Sequence, residues 1–258
     1  MSKKKTSIAY KVIKGLLYIF YPKIETVGAE KLPQEACIIV GNHVQMHGPL
    51  ACELHFPIER YTWCAGPMMK LKEVPDYAYV DFWSYKPKWS KWFYRLLSYL
   101  IAPFSVCLFN NANTIAVHRD TRIVSTFKET IRTLQDGTSV VIFPEHNKPH
   151  NHIIYEFESN FIDIAKLYYK KTGKELLFVP LYIAPTLKKM YVGDPIRFQS
   201  DMPIQEECKR ISTYLMEQIT TIACDLPEHI VIPYLNLPRK DRRFNTSSEV
   251  NTNEKASR

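Results

Sequence analysis

Five short apolar runs, separated by stretches of helical spacing, constrain this chain more than any other feature. They cover residues 36–40, 61–64, 114–117, 139–143 and 176–182, and all are rich in β-branched, apolar or aromatic side chains. Such side chains suit the pleated surface of a strand, and the runs have strand length. Helical spacing falls between and after them, near 48–55, 89–102, 121–135, 157–171 and 203–224. The alternation predicts an α/β fold with a mostly parallel, mixed sheet flanked by helices. Asp136-Gly137 and Gly173 stand where two helices should stop, and Gly193-Asp194-Pro195 marks a turn between two late short strands. Pro180 interrupts the last run. A proline withholds one ladder hydrogen bond, so it predicts an edge, a bulge or the wall of a site. With 258 residues, no internal repeat and no clear linker, one domain over residues 23–237 accounts for the chain.

The flanks differ from this middle. From Pro238 onward the chain is polar, with too little apolar surface to offset ordering, so 238–258 is expected to be disordered. Residues 1–22 begin with Lys3-Lys4-Lys5 and run into an apolar stretch. Lys11 and Lys14 interrupt that stretch and no small-residue cleavage site follows, which argues against a signal peptide. On a helix, Ile8, Val12, Ile13, Leu16, Ile19 and Phe20 share a face while the two lysines lie away from it. That pattern suits a helix lying in a membrane interface, or one docked on the domain. Residues 77–94 hold three of the four tryptophans, interleaved with Lys86, Lys88 and Lys91, as at the headgroup level of a bilayer. The apolar stretch after them is short for a span, which needs about 20 residues, and Pro103 is expected to break it.

The formal net charge of +8 implies an acidic partner: nucleic acid, anionic lipid or a phosphorylated substrate. No nucleic-acid signature accompanies the spread-out basic residues, so nucleic acid is set aside. Six cysteines without C-x-x-C spacing read as unpaired thiols in a reducing compartment.

Four stretches have residue types suited to chemistry. Gly41-Asn42-His43-Val44-Gln45-Met46-His47-Gly48-Pro49 follows a strand at a tight turn, and sites in open α/β sheets lie outside the carboxyl ends of strands. His43 and His47 there read as a base, a metal clamp or packing. Val117-His118-Arg119-Asp120 ends a second strand in an arginine able to make bidentate bonds to phosphate, or to pair with Asp120. Phe143-Pro144-Glu145-His146-Asn147-Lys148 opens a polar loop that continues to His150 and His152. Imidazole and carboxylate suit zinc or iron, so a metal-dependent hydrolase is a minor alternative. Val179-Pro180 is the fourth stretch.

In this order and spacing the four stretches resemble the glycerolipid acyltransferase family that includes lysophosphatidic acid (1-acylglycerol-3-phosphate) acyltransferases. Asn42-His43 with Pro49 matches the family's first motif, Val117-His118-Arg119 its second, Phe143-Pro144-Glu145 the first half of its third, and Val179-Pro180 its fourth. The resemblance spans roughly residues 6–225. It implies an acyltransferase-like fold and transfer of an acyl group from acyl-CoA or acyl carrier protein to a hydroxyl of a lysophospholipid or glycerol phosphate. His43 would be the general base, Arg119 and Lys148 would hold the acceptor phosphate, and Glu145 would orient the acceptor or those cations. Asn42, His47, His146 and Asn147 would be supporting residues. No metal and no cofactor beyond the acyl donor is implied. The expected partners are membrane phospholipid, the acyl donor and an anionic membrane surface, with the protein peripheral or monotopic on the cytoplasmic face. Two departures stand out. Gly48 occupies the position of the first-motif Asp, which in the family orients the imidazole, and His146-Asn147-Lys148 replaces Gly-Thr-Arg. His47, or a residue of the 146–152 loop, is a candidate substitute for the missing carboxylate. An altered member that only binds lipid is the alternative function.

Overall fold

The computed structural model describes residues 7–84, 86–118, 120–235 and 242–246. Helix α1 (Ile8–Phe20) precedes strands β1 (Glu25–Val27) and β2 (Ile38–Gly41), then α2 (His47–His55), β3 (Arg60–Ala65), α3 (Val74–Ala78) and α4 (Lys91–Asn111). Next come β4 (Thr114–Val117), α5 (Ile123–Gln135), β5 (Ser139–Ile142), β6 (Glu145–Pro149), β7 (Tyr155–Phe157) and α6 (Asp163–Thr172). The last elements are β8 (Leu177–Ala184), β9 (Lys189–Val192), β10 (Ile196–Arg197) and α7 (Ile204–Asp225). The five expected strands all form, as does the α/β class: the main sheet runs β1-β9-β8-β2-β5-β3-β4, with β10 also on β8.

Within the sheet, β8, β2, β5, β3 and β4 are parallel, while β9 and β10 join β8 antiparallel. Strands β2, β5 and β8 are buried throughout, because helices cover both sides. Ile38, Val40, Val140, Ile142 and Phe178 pack with α5, α6 and α7. Cys37, Ile39, Val141, Val179 and Leu181 face the opposite core with Ala51 and Cys52 of α2. Strand β5 lies between β2 and β3, so the chain leaves β2 toward the β4 edge and leaves β5 toward the β9 edge. The two connections cross in opposite directions on opposite faces of the sheet, α2 on one and α6 on the other. The loops therefore leave the carboxyl ends of β2 and β5 to opposite sides and open a crevice there.

Pro180 sits inside β8, opposite Val40 of β2. Its carbonyl accepts a hydrogen bond from Gly193 N at 2.8 Å, in the turn between β9 and β10. The missing N–H therefore falls where the outer ladder is already interrupted, and no bond is lost.

Three expectations need correction. Pro103 does not end its helix. The 21-residue α4 runs straight through it, because buried Ser98, Ala102 and Ser105 are packed on both sides of the exposed proline. The helix expected from 157 begins instead at Asp163, after β7 and a short 3-10 turn at Ser159–Ile162. Residues 242–246, within the stretch expected to be disordered, are ordered against the domain: Phe244 bridges to Ile230 and Asn245 is buried. Asn245 accepts from His229 N and donates to the carbonyls of Ala223 and Leu226. One well-placed amide supplies what composition could not reveal.

Helix α1 packs with its polar side inward. The Tyr10 hydroxyl donates to Glu53 Oε1 at 2.7 Å, Lys14 pairs with the same oxygen at 2.5 Å, and Arg60 holds Oε2 at 3.0 Å. Ile8, Val12, Leu16, Ile19 and Phe20 consequently face outward, Ile8 and Phe20 at 80% and 81% exposure. Helix α4 adjoins it, with Ser7 N bonded to Asn111 Oδ1, and exposes Trp92, Phe93, Leu96, Tyr99, Leu100 and Phe104. By length and composition the stretch Lys88–Asn111 is apolar enough to cross a membrane. The six cysteines are unpaired, and Cys37, Cys52 and Cys64 are buried.

Candidate functional site

Register brings the first and third sequence stretches together. Val40 of β2 lies opposite Ile142 of β5, an offset of 102 residues, and the same offset separates His43 from Glu145. Just past the strand ends, His43 N donates to Glu145 Oε1 at 2.7 Å, and Tyr155 N donates to Oε2 at 3.4 Å. Glu145 is 6% exposed. Burial pushes its carboxyl up to about 8, against the pull of the two backbone donors. Both oxygens are thus engaged by backbone. Glu145 grips the turn that carries His43, rather than reaching outward to a substrate or to Lys148.

The imidazole of His43 is packed edge-on between Phe143 and Tyr234, with ring centroids at 5.5 and 5.6 Å. Its Nδ1 is buried without a hydrogen-bond partner among the described residues. Burial lowers its pKa to about 4, weakly opposed by the Gln45 backbone. The ring is therefore neutral through the physiological range.

The turn holding this ring is strained and is built on Gly48. Val44 and Gln45 have φ of 42° and 59°, a region costly for any residue with a side chain and most of all for a β-branched one. Val44 is 1% exposed in the core beside Ala51 and Cys52, and this burial offsets the strain. Gly48 N donates back to the His43 carbonyl at 3.1 Å. A Cβ on Gly48 would lie 2.5 Å from that same oxygen and 3.0 Å from the Asn42 oxygen. The obstruction is backbone, so a side chain at 48 requires the turn to open. The absent carboxylate and the shape of the turn are one feature.

The other expected residues have different partners. Asn42 is buried and pairs both ways with the Ile183 backbone, its Oδ1 accepting from N at 2.7 Å and its Nδ2 donating to O at 3.1 Å. It splices the end of β2 to β8. His47 Nδ1 lies 3.3 Å from the Tyr21 hydroxyl and makes no hydrogen bond to His43 Nδ1. Lys148 pairs with Glu156 at 2.6 Å, and His146 Nε2 lies 3.5 Å from the same carboxylate. Asn147 is exposed. His152 Nε2 meets the Asn245 carbonyl at 2.9 Å. Neither His47 nor the 146–152 loop therefore supplies a group to His43, and among the described residues no three His, Cys, Asp or Glu side chains are grouped to hold a metal. Arg119 lies outside the described residues. Strand β4 before it ends on the same sheet edge, three strands from β2, about 14 Å across at the usual spacing.

Sequence reasoning missed Tyr234, which packs on His43, and the 242–246 segment nearby. The run Ile230-Val231-Ile232-Pro233-Tyr234 looks like ordinary packing, and nothing local marks it as facing a histidine 191 residues earlier.

The two titrating groups of this corner act on stability with opposite sign. The raised Glu145 takes up a proton in the native state that the unfolded chain, with its ordinary value of 4.5, does not hold. Its contribution is complete below 4.5 and is lost as pH rises through about 8. The lowered His43 contributes stability that is present above its ordinary 6.5 and is lost as pH falls through about 4. Above 6.5 the Glu145 slope therefore stands without its counterweight. Glu145→Gln is expected to become progressively more stable relative to the parent between pH 6.5 and 8, read from urea midpoints. A difference that stays constant across that window excludes Glu145 as the titrating group.

No family model matches the chain. No curated protein matches it at a significant level of sequence similarity. Solved structures do match, among them the crystal structure of the 1-acyl-sn-glycerophosphate (LPA) acyltransferase PlsC from Thermotoga maritima. The alignment has 15% identity and a TM-score of 0.46, and covers 82% of this chain and 78% of that one.

Proposed function

We propose that the chain is a glycerolipid acyltransferase that works at a membrane surface with His43 as its general base. The observation that carries this reading is the junction of His43 and Glu145 at 2.7 Å on the carboxyl ends of neighbouring parallel strands. Nε2 takes the proton of the acceptor hydroxyl as that oxygen attacks the thioester carbonyl of acyl-CoA or acyl carrier protein. The C–S bond then breaks, the acyl ester forms, and the proton returns to the departing sulfur. The outward apolar faces of α1 and α4 support delivery from a membrane. Their inner sides are committed to the domain through Glu53 and through the Ser98, Ala102 and Ser105 stripe, which favours lying in the interface over spanning.

A second reading, a lipid- or acyl-binding protein, is favoured by the enclosed Nδ1 and by the absence of room for a carboxylate at Gly48. Both readings meet the same assay: purified chain in mixed micelles with acyl-CoA or acyl carrier protein and a panel of lysophospholipids and glycerol phosphate. Acylated product formed in proportion to protein is the expected result. No product with any donor, together with saturable lysolipid binding, would replace the enzyme by the binding protein.

A further inference from the structure

Lys148 is paired with Glu156, and two further described cations, Arg242 and Arg243, come from the C-terminal segment. Val231 N donates to the Arg243 carbonyl at 2.8 Å, Phe244 bridges to Ile230, and Asn245 N donates to the His229 carbonyl at 3.1 Å. This fastens 242–246 alongside the stretch that leads, three residues on from Val231, to Tyr234 against the His43 ring. Gln45 ties that stretch to the His43 turn through the Leu235 carbonyl at 3.3 Å. The Arg242 charge acts on His47, and the Arg243 charge on Tyr155, whose backbone holds Glu145. Arg242 Nε is buried and, among the described residues, has no hydrogen-bond partner. A buried guanidinium nitrogen without an acceptor is costly, and an oxyanion satisfies it.

We infer that Arg242 and Arg243 form the anion-binding end of this site and hold a phosphate monoester of the acceptor, on a segment outside all four sequence stretches. The inference rests on the acyltransferase reading for its choice of ligand. A guanidinium offers two parallel donors to phosphate oxygens, which the Lys148 ammonium does not. The backbone bonds that fasten the segment are independent of both side chains, so neutral replacements leave it in place.

The test compares the full chain with R242Q/R243Q in neutral detergent micelles, where no anionic surface competes. Acceptors are 1-acylglycerol 3-phosphate, soluble glycerol 3-phosphate and uncharged monoacylglycerol. The double variant is expected to raise KM about 10- to 100-fold for phosphate-bearing acceptors, as for lost charge-assisted bonds, and to leave that for monoacylglycerol unchanged. A rise for the lysolipid alone places the source in the lipid headgroup; a rise for both phosphates includes the soluble ester. R242K/R243K, which retains charge, should recover part of the loss. Equal KM values for parent and R242Q/R243Q, or equal rises for charged and uncharged acceptors, would overturn the inference. If the parent transfers nothing, equilibrium binding of 1-acylglycerol 3-phosphate decides. Weaker binding in the double variant upholds the anion site while the acyltransferase reading falls, and unchanged binding overturns the site.

Discussion

On the proposed mechanism, His43→Ala is expected to lower acyl transfer by about 10²–10⁴-fold, the usual contribution of a positioned general base. The loss should fall on kcat, because the imidazole acts as the hydroxyl proton moves and adds little to ground-state binding. The fold should survive. The bond to Glu145 is made by the backbone N–H of residue 43, which alanine retains, and Phe143 and Tyr234 lose only an edge contact. The parent protein supplies a second signature. A base must be unprotonated, and burial lowers His43 from its ordinary 6.5 to about 4. Activity should hold as pH falls below about 6 and decline only near 4, measured as kcat/KM across buffers. Transfer that persists in His43→Ala removes this residue from the mechanism. An acid limb near 6.5 would show the ring solvated or paired with a carboxylate during turnover.

Gly48→Asp tests whether the missing carboxylate is a simple loss. Were the site merely degraded, restoring the aspartate would restore its function, since in the serine-protease arrangement the orienting carboxylate is worth ~10⁴ in rate. The structure leads to the opposite expectation. The new Cβ meets the His43 carbonyl at 2.5 Å, and that carbonyl cannot swing aside without breaking its bond from Gly48 N. Opening the turn also moves Val44 out of the core that holds its left-handed conformation. Overpacking of this kind costs about 1–3 kcal/mol. The variant should show a lower urea midpoint and, with His43 displaced, transfer at least tenfold below the parent. A rise in activity together with an upward shift of the acid limb would mean that the turn relaxes readily and that the introduced carboxylate pairs with the ring.

Much of this fold could be read before any coordinates. The runs at 36–40, 114–117 and 139–143 became β2, β4 and β5 because β-branched character and burial are recorded locally, residue by residue. Gly137 and Gly173 adopt the positive φ expected of helix stops for the same reason. Pro103 misled because a proline penalty of a few kcal/mol is local, whereas the packing of Ser98, Ala102 and Ser105 that outweighs it is not. The partner of Lys148 was likewise out of reach: its charge is visible in the chain, but Glu156 meets it only when β6 and β7 pair.

The sequence by itself determined most of the strand and helix segments, the amphipathic pattern of α1, and the placing of His43 and Glu145 just past two strands. Only the tertiary structure decided that β2 and β5 are neighbours in the register that joins those two residues. It also decided that Glu145 grips backbone, that Gly48 is pressed against the His43 carbonyl, and that a polar C-terminal segment folds back along His229 and Val231. Periodicity reports which way a side chain must face, a property of consecutive φ and ψ angles. Which group it meets there depends on chain segments far away in sequence, and packing alone selects among them.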